Sequence, residues 1–208
     1  TRVEAVRGYY ARFLAELPDI AALAACEERR LTKLWEGLGY YSRVRNLQKA
    51  AQVIVSQHGG VFPADYAAIR ALPGVGDYTA GAVASICFDR PTPAVDGNVL
   101  RVLARVTEDP SPVPKQSVKT SYELLLRPVY EENPGSRGEL TQALMELGAC
   151  VCVPNGAPKC ALCPLQGFCR AKMNGSWDTL PVKEAKKPRR QEQLTVFFLS
   201  CGSRYAVR

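Results

Sequence analysis

No stretch of the sequence approaches the roughly 18 unbroken apolar residues that a membrane-spanning helix requires, and Thr1-Arg2-Val3-Glu4 does not resemble a secretory signal. A cytoplasmic protein is therefore expected. Histidine is nearly absent: His58 is the single one, and its place before Gly59-Gly60 at the end of a helical pattern reads as a cap-region residue rather than a metal ligand. Strand-like alternation is missing up to about residue 150, which argues against a β-rich body. What is present is 47% hydrophobic and 23% charged residues in a chain of 208, enough to bury a core and to exclude global disorder. That length holds one full domain, or one and part of another.

The formal charge is +7, which makes a polyanionic partner worth testing. The segment Lys183-Glu184-Ala185-Lys186-Lys187-Pro188-Arg189-Arg190 carries five cations and one anion, +4 of that total, so the rest of the chain is nearly balanced at +3. Such a run reads as a solvated linker that can also touch phosphate.

Four of the eight cysteines crowd into Cys152, Cys160, Cys163 and Cys169, separated by seven, two and five residues. A disulfide framework would be spread through a smaller exported domain, so metal is the better reading. Four thiolates suit zinc or an iron–sulfur cluster, and one self-closing loop favours the cluster over the two distant pairs usual for structural zinc. Cys26, Cys87, Cys150 and Cys201 read as ordinary small apolar residues.

Helical periodicity links Val3, Val6, Tyr10, Phe13, Leu14 and Leu17 up to Pro18. A second helix is expected from Ser42 as N-cap through Val44, Leu47, Ala51, Ile54 and Val55 to His58. Further helices are expected over residues 64–71, 78–88, 97–107, 116–127 and 137–149. Beyond a Lys-, Pro- and Arg-rich stretch over 171–192, Leu194–Leu199 reads as a strand, Cys201-Gly202-Ser203 as a turn and Tyr205-Ala206-Val207 as the return. An isolated hairpin is marginal in water, so residues 193–208 are expected to open a second domain.

Leu72-Pro73-Gly74-Val75-Gly76-Asp77-Tyr78-Thr79-Ala80 lies between two expected helices. Two glycines one residue apart allow a tight turn with exposed N–H groups, and the next helix adds its positive dipole end; such a turn can grip a backbone phosphate without reading sequence. Leu72-Pro73-Gly74-Val75-Gly76, then Ala94-Val95-Asp96-Gly97-Asn98-Val99, then the four-cysteine loop together resemble the helix-hairpin-helix DNA glycosylases that carry an iron–sulfur cluster. Gly37-Leu38-Gly39-Tyr40-Tyr41-Ser42-Arg43, His58-Gly59-Gly60 and Asp96-Gly97-Asn98 are similar within that group to the adenine DNA glycosylases, the MutY group.

The resemblance covers essentially the whole chain. It implies an all-α, two-lobed body over 1–170 with the helix-hairpin-helix at 64–88 and the cluster loop at 150–170, a basic linker over 171–192, and the start of a Nudix-like α+β domain over 193–208. It implies excision of adenine from A:8-oxoguanine or A:G pairs in double-stranded DNA by a monomer that is nucleoid-associated when on DNA. A [4Fe-4S] cluster would sit on Cys152, Cys160, Cys163 and Cys169.

Cleaving an N-glycosidic bond develops positive charge on the sugar, which a carboxylate stabilises or captures. Asp96 is the candidate, and as N-cap of the helix bearing Val99, Val102, Leu103 and Val106 it would be favoured in its ionised form. By resemblance Asp96 is the catalytic aspartate with Tyr78 and Asn98 beside it, Gly74, Val75 and Gly76 meet phosphate, and Thr1, Leu38 and Tyr40 face the 8-oxoguanine. Without the resemblance, Leu38 and Tyr40 read as core.

A glycosylase/lyase like endonuclease III needs a lysine amine, and no Lys occurs between Lys49 and Lys115. The other alternative is a non-catalytic DNA-binding fragment, with the hairpin and the basic linker holding phosphates. By resemblance the family's general acid is a glutamate in a helix that precedes the position of Thr1, and Glu4 cannot be carried over to it, so the glycosylase reading expects this chain alone to be catalytically impaired. The cluster spacing also departs from the family's usual one, by one residue within Val153–Lys159.

Overall fold

The computed structural model describes residues 3–113, 115–183, 191–193, 199–202 and 204–206. The helices are α1 Val3–Glu16, α2 Ile20–Ala25, α3 Glu28–Leu34, α4 Ser42–Gln57, α5 Tyr66–Arg70, α6 Asp77–Phe88, α7 Gly97–Thr107, α8 Gln116–Glu131, α9 Arg137–Glu146 and α10 Arg170–Asn174. A π-helical turn, Leu147–Val151, continues α9, and β1 Leu199–Cys201 pairs antiparallel with β2 Arg204–Ala206. The all-α body is as expected, and among the described residues no helix is long and apolar enough to cross a membrane.

Several boundaries differ from the sequence reading, each for a local reason. α2 and α3, at six and seven residues, are too short to show a period. α2 is announced instead by Asp19 after Pro18, whose carboxylate accepts the Ala22 N–H at 2.7 Å. Ser42 is not an N-cap: it is the first helical residue of α4, and Tyr41 in the capping position makes no side-chain bond. α8 runs on through Pro128 to Glu131, while α9 stops at Glu146, where the backbone widens into the π turn. Cys87 and Cys150 are exposed rather than packed as apolar residues, whereas Cys26 packs against a buried group. Of the terminal hairpin, Leu194–Phe198, Ser203 and Val207 lie outside the described residues.

The buried side chains fall into an N-terminal group, Leu17, Leu23, Leu31, Val44 and Ala51, and a C-terminal one built on Val95, Val99, Leu100, Leu103 and Ala104 of the α7 region against Val118, Tyr122, Leu126 and Tyr130 of α8. Ile69 of α5 with Ala80 and Ala84 of α6 fills the space between hairpin and core. Gln48 of α4, itself buried, donates to the carbonyls of Leu23 and Cys26 at 3.3 and 2.5 Å, satisfying the last turn of α2. Helix α7 is the centre of the arrangement: every residue from Val99 to Arg105 is buried.

Residues 171–183, assigned by composition to the linker, carry most of α10 and pack onto this body. Ala171 and Leu180 are buried, and the Val182 carbonyl accepts the Val113 N–H at 2.9 Å. The packed body thus continues to Lys183, and 184–190 lie outside the described residues.

Two carboxylates tie helix ends together. Asp89 accepts the N–H groups of Gly135 and Arg137 at 2.6 and 3.0 Å, and Glu108 accepts Ser176 Oγ and Asn174 Nδ2 at 2.5 and 2.6 Å. The Gly135 N–H holds the Asp89 carboxyl below its usual range, and the Ser176 hydroxyl, then the Asn174 amide, do the same for Glu108. A carboxyl depressed in the folded state stabilises above its unfolded pKa and loses that contribution as pH falls through its folded one. Thermal melts should therefore weaken progressively below about pH 4, and the Asp89→Asn/Glu108→Gln double variant should show a flatter acid limb. An unchanged acid limb in that variant would remove these two groups from the account.

Candidate active site

The segment Ala94-Val95-Asp96 enters α7 with its apolar pair buried and Asp96 half-buried at the N-cap. Asp96 Oδ1 accepts the N–H groups of Asn98 and Val99 at 2.9 and 2.8 Å, and Oδ2 accepts Asn98 Nδ2 at 2.9 Å. Both oxygens are thus oriented by α7 itself, and the carboxylate sits at the positive end of the helix dipole.

Tyr78, the second residue of α6, comes to the same place. Burial pushes its phenol pKa up and the Asp96 charge pushes it further, so the two are electrostatic neighbours. Its hydroxyl lies 3.9 Å from Met145 Sδ of α9, and the residue is 41% exposed, open enough to meet a ligand. Asp96, Tyr78 and Asn98 are thereby brought together from α6 and α7.

Behind them stand two residues the sequence reading passed over. Arg101, 8% exposed, donates to Asn98 Oδ1 at 2.9 Å, to the Gly148 carbonyl at 2.7 Å and to the Cys152 carbonyl at 2.7 Å. Burial lowers its pKa, yet a guanidinium with this many acceptors stays charged. Arg105, 4% exposed, donates to the Val153, Trp177 and Leu180 carbonyls and reaches Cys152 Sγ at 3.3 Å. The signal was available: two arginines four apart in an otherwise apolar helix must find acceptors. Gly148 permits the close approach, since a Cβ there would stand 2.5 Å from Asn98 Cβ.

Cys152, Cys160, Cys163 and Cys169 line one cavity with Val102, Arg105 and Trp177. Burial pushes the Cys163 thiol up, and Cys152, Cys169 and Cys160 add to it, so the other three lie near Cys163. Among the described residues no three His, Cys, Asp or Glu side chains converge closely enough to hold a single metal ion. Four soft sulfur donors lining one void are of the type that holds zinc or an iron–sulfur cluster.

The hairpin forms as read. Gly74 takes φ +77°, with Asn46 of α4 packed where its Cβ would be. The Val75 N–H is used inside the turn, on the Leu72 carbonyl at 3.1 Å, leaving the N–H groups of Gly74 and Gly76 without a partner among the described residues. Arg70 braces the turn from α5, donating to the Val75 carbonyl at 2.9 Å and to Asp77 Oδ1 at 2.6 Å.

In the loop before α4, Gly37 and Gly39 have positive φ and so does Tyr40, at 49°. Tyr40 is 74% exposed, which excludes the core reading, and the Arg43 guanidinium lies 4.8 Å from its ring centre. Leu38 is half-buried and lines an apolar groove with Tyr9, Phe13 and Trp35. Thr1 lies outside the described residues.

Residues 1–127 match the family described as HhH-GPD superfamily base excision DNA repair protein. The adenine DNA glycosylase of Mus musculus is 42% identical over 205 residues, 93% of this chain and 39% of that protein. The adenine DNA glycosylases of Homo sapiens and Schizosaccharomyces pombe are 43% and 39% identical over 83% and 82% of this chain, and 31% and 37% of their own length. The chain thus spans well under half the length of these relatives. In fold it is similar to a thermostable thymine-DNA glycosylase (TM-score 0.70, 24% identity, covering 81% of this chain and 76% of that one) and to an endonuclease III seen in a non-covalent DNA complex (TM-score 0.66, 24% identity, 83% and 78%). With more than half its length matched by the family and its helical order shared with these structures, the chain belongs to the HhH-GPD superfamily of base excision DNA repair proteins.

Proposed function

We propose that the chain is the catalytic body of an adenine DNA glycosylase, which hydrolyses the N-glycosidic bond of adenine paired with 8-oxoguanine or guanine. The observation that carries this reading is Asp96, a carboxylate oriented by three N–H donors beside the half-open Tyr78. Oriented in this way, it faces the positive charge that develops on the sugar as the base departs, and stabilises that transition state more than the ground state. Asn98 fixes the Oδ2 side of the carboxylate. The relatives named adenine DNA glycosylase support adenine as the base.

The duplex would be held by the Gly74 and Gly76 N–H groups through one backbone phosphate, and the exposed Tyr40 ring would stack on or wedge beside the base opposite adenine. Leu38 belongs to the same DNA-facing side on this reading. A lyase pathway lacks its nucleophile, because Tyr78 occupies the position after the hairpin and no lysine lies between Lys49 and Lys115.

Cys152, Cys160, Cys163 and Cys169 would hold a [4Fe-4S] cluster through their thiolates, a structural centre capable of electron transfer. The protein as purified should show visible absorbance near 400 nm, and about four irons per chain, which Cys163→Ser reduces. Stoichiometric zinc, or an iron content untouched by Cys163→Ser, contradicts the assignment.

A further inference from the structure

Asp77 is the first residue of α6, directly after the hairpin glycines, and its carboxylate occupies the field of the helix's positive end. A phosphate seated on the hairpin N–H groups would share that field. Arg70, a half-exposed cation beside the turn, is held by Asp77 Oδ1 at 2.6 Å and by the Val75 carbonyl at 2.9 Å. Around Asp77, the Tyr66 phenol hydrogen-bonds its carboxylate and Glu123 of α8 lies within electrostatic range, with Lys119 and Arg127 flanking Glu123. The hairpin that would grip DNA therefore carries its own competitor for the cation next to it.

We propose that Asp77 is an affinity-limiting residue, which by engaging Arg70 and lying beside the Gly74–Gly76 turn weakens the sequence-independent grip on duplex phosphate. The inference rests on the hairpin's being a phosphate-binding element. Contacts to phosphate carry no base information, so whatever tightens them favours undamaged DNA as much as the mispair. An acid at this position lets the protein leave undamaged duplex sooner and raises the share of its affinity that depends on the lesion.

The test is the salt dependence of duplex binding by the whole chain, for undamaged and A:8-oxoguanine duplexes, across about 0.05–0.2 M salt. Asp77→Asn frees Arg70 and removes the repulsion, so undamaged duplex should bind about fivefold tighter, with the slope of log affinity on log salt steeper by about one. The ratio of mispair to undamaged affinity should not rise. Asp77→Ser should behave alike, and Arg70→Gln, which leaves Asp77 without its cation, should weaken binding to both duplexes. A merely structural role for the pair would move melting temperature but not the salt slope. Undamaged-duplex affinity and slope unchanged or reduced in both Asp77 variants overturns the proposal. No duplex binding by the parent chain at low salt overturns the hairpin reading and this inference with it.

Discussion

Asp96→Asn should lower single-turnover release of adenine from an A:8-oxoguanine duplex by about 10³-fold or more while leaving duplex affinity within about threefold. The amide is nearly isosteric and can still accept the Asn98 and Val99 N–H groups through its one oxygen, so the cap of α7 survives. What it removes is the negative charge that faces the sugar cation, and the amide group would now point an N–H at Asn98 Nδ2, itself a donor. The proposed binding elements, Tyr40 and the Gly74–Gly76 hairpin, lie on other parts of the chain and are untouched. Turnover at the parent rate by Asp96→Asn would remove Asp96 from the chemistry.

The second large effect is expected at Arg101. Arg101→Met keeps much of the volume but leaves the Gly148 and Cys152 carbonyls and Asn98 Oδ1 without their donor, in a buried setting. Uncompensated buried acceptors cost about 1–3 kcal/mol each in the worst geometry, so a net loss of about 3 kcal/mol is expected, a fall in melting temperature of about 9 °C for a chain of this size. Adenine release should also slow, because Asn98 loses the contact that holds its amide toward Asp96. A melting temperature within 2 °C of the parent chain, as followed by circular dichroism, would contradict this role.

The helical body was legible because α1, α4 and α7 are long enough to show a 3.6-residue period, and Asp96 was legible because an Asp followed by an apolar-periodic run is an N-cap signature. α2 and α3 were not: six and seven residues carry no period, and their helicity depends on packing against α4, supplied in part by Gln48 reaching the end of α2. The linker reading over 171–192 followed charge, which was misleading at its start. Two apolar anchors, Ala171 and Leu180, and the carbonyls that Arg105 collects from Trp177 and Leu180 bind that stretch to α7.

In the candidate site, the sequence marked the residues that would touch substrate but not those behind them. Asp96, Tyr78 and Asn98 belong to short local motifs, whereas the roles of Arg101 and Arg105 depend on acceptors 47 to 75 positions away, which no local spacing reveals. Tyr40 and Leu38 show the same limit. Both are apolar or aromatic neighbours in one loop, yet positive φ at Gly39 and Tyr40 turns the tyrosine out to solvent while Leu38 lines the groove beside Trp35.

The central claim, adenine excision without strand cleavage, is tested most directly by single-turnover assays on duplexes carrying adenine opposite 8-oxoguanine or opposite thymine. The expected result is free adenine from the 8-oxoguanine duplex only, with the abasic strand intact until alkali is added. Strand nicking without alkali, release of adenine opposite thymine at the same rate, or no release from either duplex would contradict the account.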